Sequence, residues 1–221
     1  MKFQPQWIRQ QQSLMSSVLV ALSLSACAQA PTQPPGSPEA AVQSVQGLAA
    51  LQGTYLSPCG ELMEGLHAID TMSVRSTSAT DAVVTYRKKL YSQAGCSVAS
   101  HIISVEQPEV RWKSAGSVQI DGQTVHKVVQ QFTAGELRVR ISNEGRVQVT
   151  EEAYVLKIGG ESSRGIPLQR RTEAQERKDL YRLEGDKLFV SDMSTVDKDG
   201  FPVKLDAEPM MIKVPEHLLA K

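Results

Sequence analysis

Beyond Gln52, apolar and polar residues alternate along most of the chain, which is the pattern of β-strands with one buried face and one solvated face. The run from Leu137 to Ile141 is an example, because arginines separate its apolar residues. No long helical pattern interrupts the alternation. The pattern predicts strands near residues 53–58, 69–77, 82–92, 98–106, 116–121, 123–132, 136–142, 146–158, 179–184 and 187–193.

Turn sequences separate the predicted strands. Asp-Gly within Ile120 to Gln123 predicts a type I′ hairpin, and Gly-Asp within Glu184 to Lys187 predicts a type II′ hairpin. Thr133 to Glu136 and Ser142 to Arg146 fit longer hairpin loops with a left-handed glycine. A change of phase in the apolar positions predicts a β-bulge near Glu151-Glu152. Consecutive hairpins predict an all-β fold, an antiparallel up-and-down meander that closes into a barrel of about 8 to 10 strands.

The N-terminal residues have the pattern of a targeting segment. An eleven-residue apolar run, Leu14 to Leu24, follows Lys2 and Arg9 and is too short to span a bilayer, which takes about 20 residues. It ends in Leu24-Ser25-Ala26-Cys27, which resembles the lipobox of bacterial lipoproteins. The resemblance implies a signal peptide over residues 1–26 and a lipid on Cys27. The alternative is an ordinary signal peptide ending in Ala26-Cys27-Ala28.

The mature chain divides into a tether and one domain. Residues 27–38 are rich in Pro, Ala and Gln, carry no charge, and predict a flexible tether. Ser37 before Pro38 is typical of a helix N-cap, and apolar residues continue at helical spacing to Leu51, so a short N-terminal helix should precede the barrel. Residues 39–221 then form a single domain. In the bacterial lipoproteins that this segment resembles, a residue such as Ala28 after the lipidated cysteine implies sorting to the outer membrane, on its periplasmic or cell-surface side.

Three segments of the domain resemble small bacterial envelope lipoproteins with a lipocalin-like barrel. They are "LQGTYLSPC" at Leu51 to Cys59, "YSQAGC" at Tyr91 to Cys96 and "DGFPVKLD" at Asp199 to Asp206. The likeness extends from Leu51 to Lys213. The chain departs from true lipocalins where their G-x-W motif becomes Gly53-Thr54-Tyr55.

The charge of the chain limits which partners to expect, and its cysteines indicate a disulfide. The chain has 24 basic and 24 acidic residues, and removal of Lys2 and Arg9 with the signal peptide leaves 22 minus 24, a net charge of −2. Without a basic stripe, no nucleic-acid partner is expected.

Secretion leads to an oxidising compartment, and once Cys27 carries lipid, Cys59 and Cys96 remain to form a disulfide. A zinc site or a catalytic thiol would need further ligands or a base nearby.

Catalytic and metal-binding patterns are weak in this sequence. The histidines, His67, His101, His126 and His217, lie far apart without a metal-binding spacing. Ser162 and Ser163 do not fit the register of a nucleophile elbow. We therefore expect neither a metal nor another cofactor, and no enzymatic activity.

The expected function is binding of a small apolar ligand or lipid inside the barrel of a lipid-anchored envelope protein. An eight-stranded barrel can hold one small ligand or be filled by side chains. The alternative is therefore a structural or assembly lipoprotein with a solid barrel that contacts another envelope protein. The candidate ligand-lining residues are Tyr55, Tyr86, Ile103, Trp112, Val129, Val139, Tyr154 and Leu156.

Overall fold

The structure, a computed structural model, describes residues 47–150, 153–158, 162–167 and 173–215. Their strands are β1 (Gly53–Leu56), β2 (Gly60–Met63), β3 (Leu66–Ser76), β4 (Asp81–Tyr91), β5 (His101–Glu106), β6 (Val110–Ile120), β7 (Gln123–Phe132), β8 (Arg138–Ile141), β9 (Val147–Val149), β10 (Ala153–Ile158), β11 (Ser162–Pro167), β12 (Gln175–Glu184), β13 (Lys187–Val196), β14 (Pro202–Leu205) and β15 (Met211–Val214). The helices in these ranges are short 3₁₀ turns at Leu48–Leu51, Val98–Ser100 and Glu144–Arg146.

Eight of these strands form a closed antiparallel barrel. Following the hydrogen-bonded neighbours gives the order β1, β3, β4, β6, β7, β12, β13 and β15, and β15 pairs with β1 again. Each member follows the previous member of the ring along the chain, so the barrel has up-and-down topology. The predicted fold class is confirmed.

The barrel is filled by the largest apolar cluster. Alternate residues of the ring strands point inward, as in Val128 of β7 and Tyr181 of β12. Leu48 and Leu51 of the first 3₁₀ turn join this cluster, and the Leu48 N–H donates to the Ala79 carbonyl at 3.3 Å. Because Ala79 belongs to the β3–β4 turn, the 3₁₀ turn closes the barrel end at which that turn lies.

Other strands are excursions from the barrel and bury separate cores. Between ring strands, β5 pairs with the second half of β4, and β8 pairs with β5. The three-stranded sheet β9–β10–β11 is separate from the main sheet. Together they bury a second core around Leu66, Ile102 and Leu156. The last excursion, β14, pairs with β13. Phe201 and Pro202, at its start, are both buried.

The hairpin predictions at the two tightest turns are confirmed. Ile120 pairs with Gln123, and Asp121 and Gly122 both have positive φ, 50° and 73°, as a type I′ turn requires. Glu184 pairs with Lys187 around Gly185, whose φ is 61°. The two longer loops were predicted wrongly, because Gly135 and Gly145 lack positive φ, and the strands they join do not pair with each other.

Several strand boundaries also differ from the sequence prediction. The predicted strand over 146–158 is two strands, β9 and β10, which pair with each other, so the chain reverses between them. Glu151-Glu152, at the predicted bulge, lies outside the described residues. β6 starts at Val110, six residues before the predicted start. The prediction missed this part because a bulge between Ser114 and Ser117 shifts the apolar positions from one phase to the other. The short strands β2, β11, β14 and β15 were not predicted.

Predictions for the N-terminal region are outside the structural description. The signal peptide, Cys27, the tether and nearly all of the predicted N-terminal helix precede Gly47, the first described residue. Leu48–Leu51, at the end of that helical pattern, form the 3₁₀ turn.

Candidate functional site

Three of the candidate lining residues meet inside the barrel. Tyr55, Tyr86 and Trp112 belong to the central cluster, where Tyr55 and Trp112 are fully buried. The Tyr55 hydroxyl donates to the Leu51 carbonyl at 2.8 Å. The Trp112 ring stacks on Tyr181, with centroids 4.4 Å apart and planes tilted by 32°. These rings occupy the interior that a ligand would have to enter.

The other candidate lining residues do not line the barrel. Ile103, Val139, Tyr154 and Leu156 belong to the second core, because β5, β8 and β10 are excursions and not barrel strands. Val129 lies in a third cluster on the outside of β7, since Val128, its neighbour, points inward. The prediction of a single lining set is therefore wrong for these five residues.

A polar cluster lies among the aromatic rings of the barrel. The Tyr86 hydroxyl donates to Gln130 Oε1 at 3.0 Å, and Gln130 Nε2 donates to the Tyr181 hydroxyl at 2.8 Å. The same amide nitrogen donates to Asp179 Oδ2. Arg177 Nε donates to this carboxylate oxygen at 2.6 Å. Gln130 therefore connects two tyrosines with an ion pair whose carboxylate is buried.

Burial dominates the electrostatics of this polar cluster. It raises the pKa of Tyr86 to about 12 and that of Tyr181 well above its ordinary value. Burial also raises the pKa of Asp179, while the Arg177 guanidinium acts in the opposite direction. Burial lowers the pKa of Arg177, but attraction to the Asp179 carboxylate outweighs it and leaves a net increase. At neutral pH both tyrosines are therefore neutral hydrogen-bonding groups.

Sequence reasoning missed most of the polar cluster. Arg177, Asp179 and Tyr181 alternate along β12 and face inward, but the predicted strand began only at residue 179. An alternation that includes an arginine and an aspartate has the appearance of a solvated face. Gln130 lies between inward-facing Val128 and Phe132 in the alternating pattern of β7. This position in the sequence indicates that its amide is buried.

Trp112 carries an unusual polar atom in this interior. Its indole Nε1 is buried without a hydrogen-bond partner among the described residues. An unpaired buried donor costs roughly 1 to 3 kcal/mol, so most native interiors provide an acceptor. An acceptor brought next to this N–H could receive a hydrogen bond from it.

A groove lies on the outside of the barrel wall. It has a volume of about 180 Å³ and separates the end of β6 from β14. The Lys127 side chain lines it, and its Nζ atom lies 3.4 Å from Asp197 Oδ2 and 4.0 Å from the centroid of the Phe201 ring. The lining residues are Val118, Gln119, Ile120, Lys127, Leu180, Asp197, Pro202 and Val203. Val118 and Val203 are 39% and 44% exposed, so the groove has apolar walls open to solvent.

The predicted disulfide is present. Cys59 and Cys96 are bonded, with their Cα atoms 5.9 Å apart. The bond joins the β1–β2 connection to the loop after β4. It therefore crosslinks the excursion region and not the barrel interior.

Comparisons with protein-family models, with curated proteins and with solved structures find no match to this chain. Within the described ranges, no group of three or more histidine, cysteine, aspartate or glutamate side chains could hold a metal ion. In the same ranges, no helix has the length and apolar character needed to cross a bilayer.

Proposed function

We propose that this chain is a lipid-anchored protein of the bacterial outer membrane that acts without catalysis, through contacts between its outer face and another envelope protein. The observation that carries the proposal is the filled barrel interior. Tyr55, Trp112 and Tyr181 are almost completely buried there. An eight-stranded barrel is just wide enough for side chains to fill it, and these rings leave the interior to the protein itself.

The outer groove supports the choice of a protein partner. Its volume of about 180 Å³ is below the roughly 300 to 1,000 Å³ of typical small-molecule pockets. A space of this size suits one or two side chains of a partner better than a whole lipid. Lys127 and Asp197 lie beside apolar Val118 and Val203, and protein interfaces join an apolar centre to a polar rim in this way.

Binding of a small ligand in the barrel is the second candidate, and the Trp112 indole favours it. Its unpaired N–H could donate to an acceptor on a ligand that displaces part of the aromatic packing. Such a ligand would have to move Tyr181, which stacks on Trp112. Displacing packed side chains costs free energy, so affinity would be low.

Native mass spectrometry of protein gently extracted from its own membrane separates the two candidates. The partner-binding proposal expects the mass of the lipidated chain, alone or with another protein, and no non-covalent lipid in the barrel. Titration with fatty acids should then leave the Trp112 fluorescence unchanged. A stoichiometric small ligand, released on unfolding, together with saturable quenching would overturn the proposal in favour of a ligand carrier.

A photocrosslinking residue at the groove tests the partner contact directly. With p-benzoylphenylalanine in place of Val203, irradiation of intact cells should give one discrete adduct with another protein. The matched control replaces Val98, which is 93% exposed and far along the chain from the groove. Equal adducts from both positions, or none from Val203, would contradict a specific contact at the groove.

A further inference from the structure

β6 has a free edge beside the groove. Along one side it pairs with β7 from Val110 to Ile120, but on the other side it pairs with β4 only at Val110–Lys113. The Ser114 N–H still donates to the Thr80 carbonyl at 2.8 Å. From Ala115 onward, no strand of the described residues pairs with this edge, and residues 115–119 are all exposed.

The hairpin register identifies the free backbone groups. Ile120 and Gln123 close the two-residue turn as a hydrogen-bonded pair, and Val118 with Val125 forms the next such pair. Val118 and Ile120 therefore direct their N–H and C=O groups at β7. The groups of Ser117 and Gln119 point to the open side, where they can pair with an additional strand.

The free end of β6 lacks the charged and proline residues that block many edge strands. Natural edge strands are blocked by charged side chains, prolines or bulges. The run from Ser114 to Ile120 contains no charge and no proline, and its bulge ends at Ser117. The last four residues of β6 thus form a short, uncharged edge.

We propose that two copies of this chain associate through this edge, with β6 of each copy pairing antiparallel to β6 of the other about a two-fold axis. In the register centred on Val118, Ser117 of each copy exchanges hydrogen bonds with Gln119 of the second copy. The two Val118 side chains then meet on the outer face as a non-hydrogen-bonded pair, the closer type of cross-strand pair. The same patch serves both copies, as a two-fold interface requires.

Charge and shape favour a second copy as the occupant. β6 begins with basic Arg111 and Lys113, and its turn carries Asp121. Antiparallel pairing moves Asp121 of each copy toward the basic half of the other. It also directs Ile120 of one copy toward Gly116 of the other, where the structure has open space at the missing side chain. No like charges are brought opposite each other along the edge.

Cysteine crosslinking in the full chain tests the proposed edge. Cα atoms of a non-hydrogen-bonded pair are about 4.5 Å apart, which is within disulfide range. Mild oxidation of membranes carrying Val118→Cys should give a band of twice the monomer mass that disappears on reduction. The matched control is Val149→Cys, an exposed valine of β9 outside the groove, and the unmodified chain reports any background from the native cysteines.

A second comparison tests the backbone pairing. Gln119→Pro in the Val118→Cys background removes an N–H that only the second copy would use, so the double-mass band should be lost. Gln119→Ala keeps this N–H, and the band should persist; equal melting temperatures would show that both variants fold. Absence of the band in Val118→Cys, equal yield from Val149→Cys, an adduct of another mass, or persistence in folded Gln119→Pro would each overturn the proposal.

Discussion

Asp179 brings a carboxylate into the barrel, where about 2% of its side chain is exposed. Its partners are the amide of Gln130 and the guanidinium of Arg177, whose own side chain is one-third exposed. Burial alone would favour the neutral acid. The ion pair therefore adds little net stability to the fold. Removing one of its members, however, leaves the other charge buried without a partner, which costs free energy.

Arg177→Met should destabilise the protein by about 3 kcal/mol at pH 7, the lower end for breaking a buried pair because Arg177 is partly exposed. Without Arg177, the folded-state pKa of Asp179 should rise further above its unfolded value. For such a raised pKa, stability is fully present below the unfolded pKa, about pH 4, and is lost as the pH rises through the folded pKa. Urea unfolding should therefore show a smaller loss at pH 4 than at pH 7.

Arg111→Met is the matched control for this experiment, because Arg111 is an exposed arginine of β6. Its substitution should change the free energy of unfolding by less than about 0.5 kcal/mol at either pH. If Arg177→Met lost the same stability at both pH values, its effect would be one of packing on Phe132 and not of charge.

Individual strands and tight turns could be predicted from the sequence, but their assignment to a core could not. Residues 123–132 were correctly predicted as a strand, because alternation records that one face is buried. It does not record which core buries that face: Val128 faces the barrel interior, whereas Val125 and Val129 face the cluster around Phe201. The same ambiguity placed Ile103 and Leu156 in the barrel when they belong to the second core.

The type I′ turn depends on the left-handed conformation of Gly122. Gly122 has φ of 73°, so Gly122→Ala should cost about 1 to 2 kcal/mol through the left-handed conformation. A methyl group at Gly122 or at Gly60 would meet nothing within 4 Å, but Gly60 lacks positive φ. Gly60→Ala should therefore have little effect on the urea midpoint. Equal midpoints for the two variants would mean that the turn tolerates alanine by changing type.

The disulfide gives a second prediction for the elements outside the barrel. Cys59 and Cys96 are 37 residues apart, and closing a loop of this length contributes roughly 4 kcal/mol by chain entropy. Replacing both cysteines by serine should lower the free energy of unfolding by up to this amount. Reduction of the wild-type protein should have the same effect on urea unfolding. If thiol titration finds two reactive cysteines in oxidised wild-type protein, the bond is absent in solution.

The barrel closes because the chain returns to β1 through β15. Neither β15 nor β14 could be predicted, since four-residue strands carry too little alternation to be distinguished from loops. Closure itself was predictable, because a long meander otherwise leaves two exposed edges. The excursions instead create new edges outside the ring, and the free part of β6 is exposed where β4 stops covering it.

The proposed attachment of the molecule to a membrane depends on Cys27. If the lipobox-like Leu24-Ser25-Ala26-Cys27 is processed as in bacterial lipoproteins, acyl chains on Cys27 hold the protein. One acyl chain gives marginal binding, whereas two or more give stable anchoring. Cys27→Ser should therefore move the protein from the membrane fraction to the soluble fraction or leave its signal peptide uncleaved. Ser25→Ala, which keeps Cys27, is the matched control and should remain membrane-bound. A Cys27→Ser protein that is processed and still sediments wholly with outer membranes would show that another part of the chain, or a membrane partner, provides the anchor.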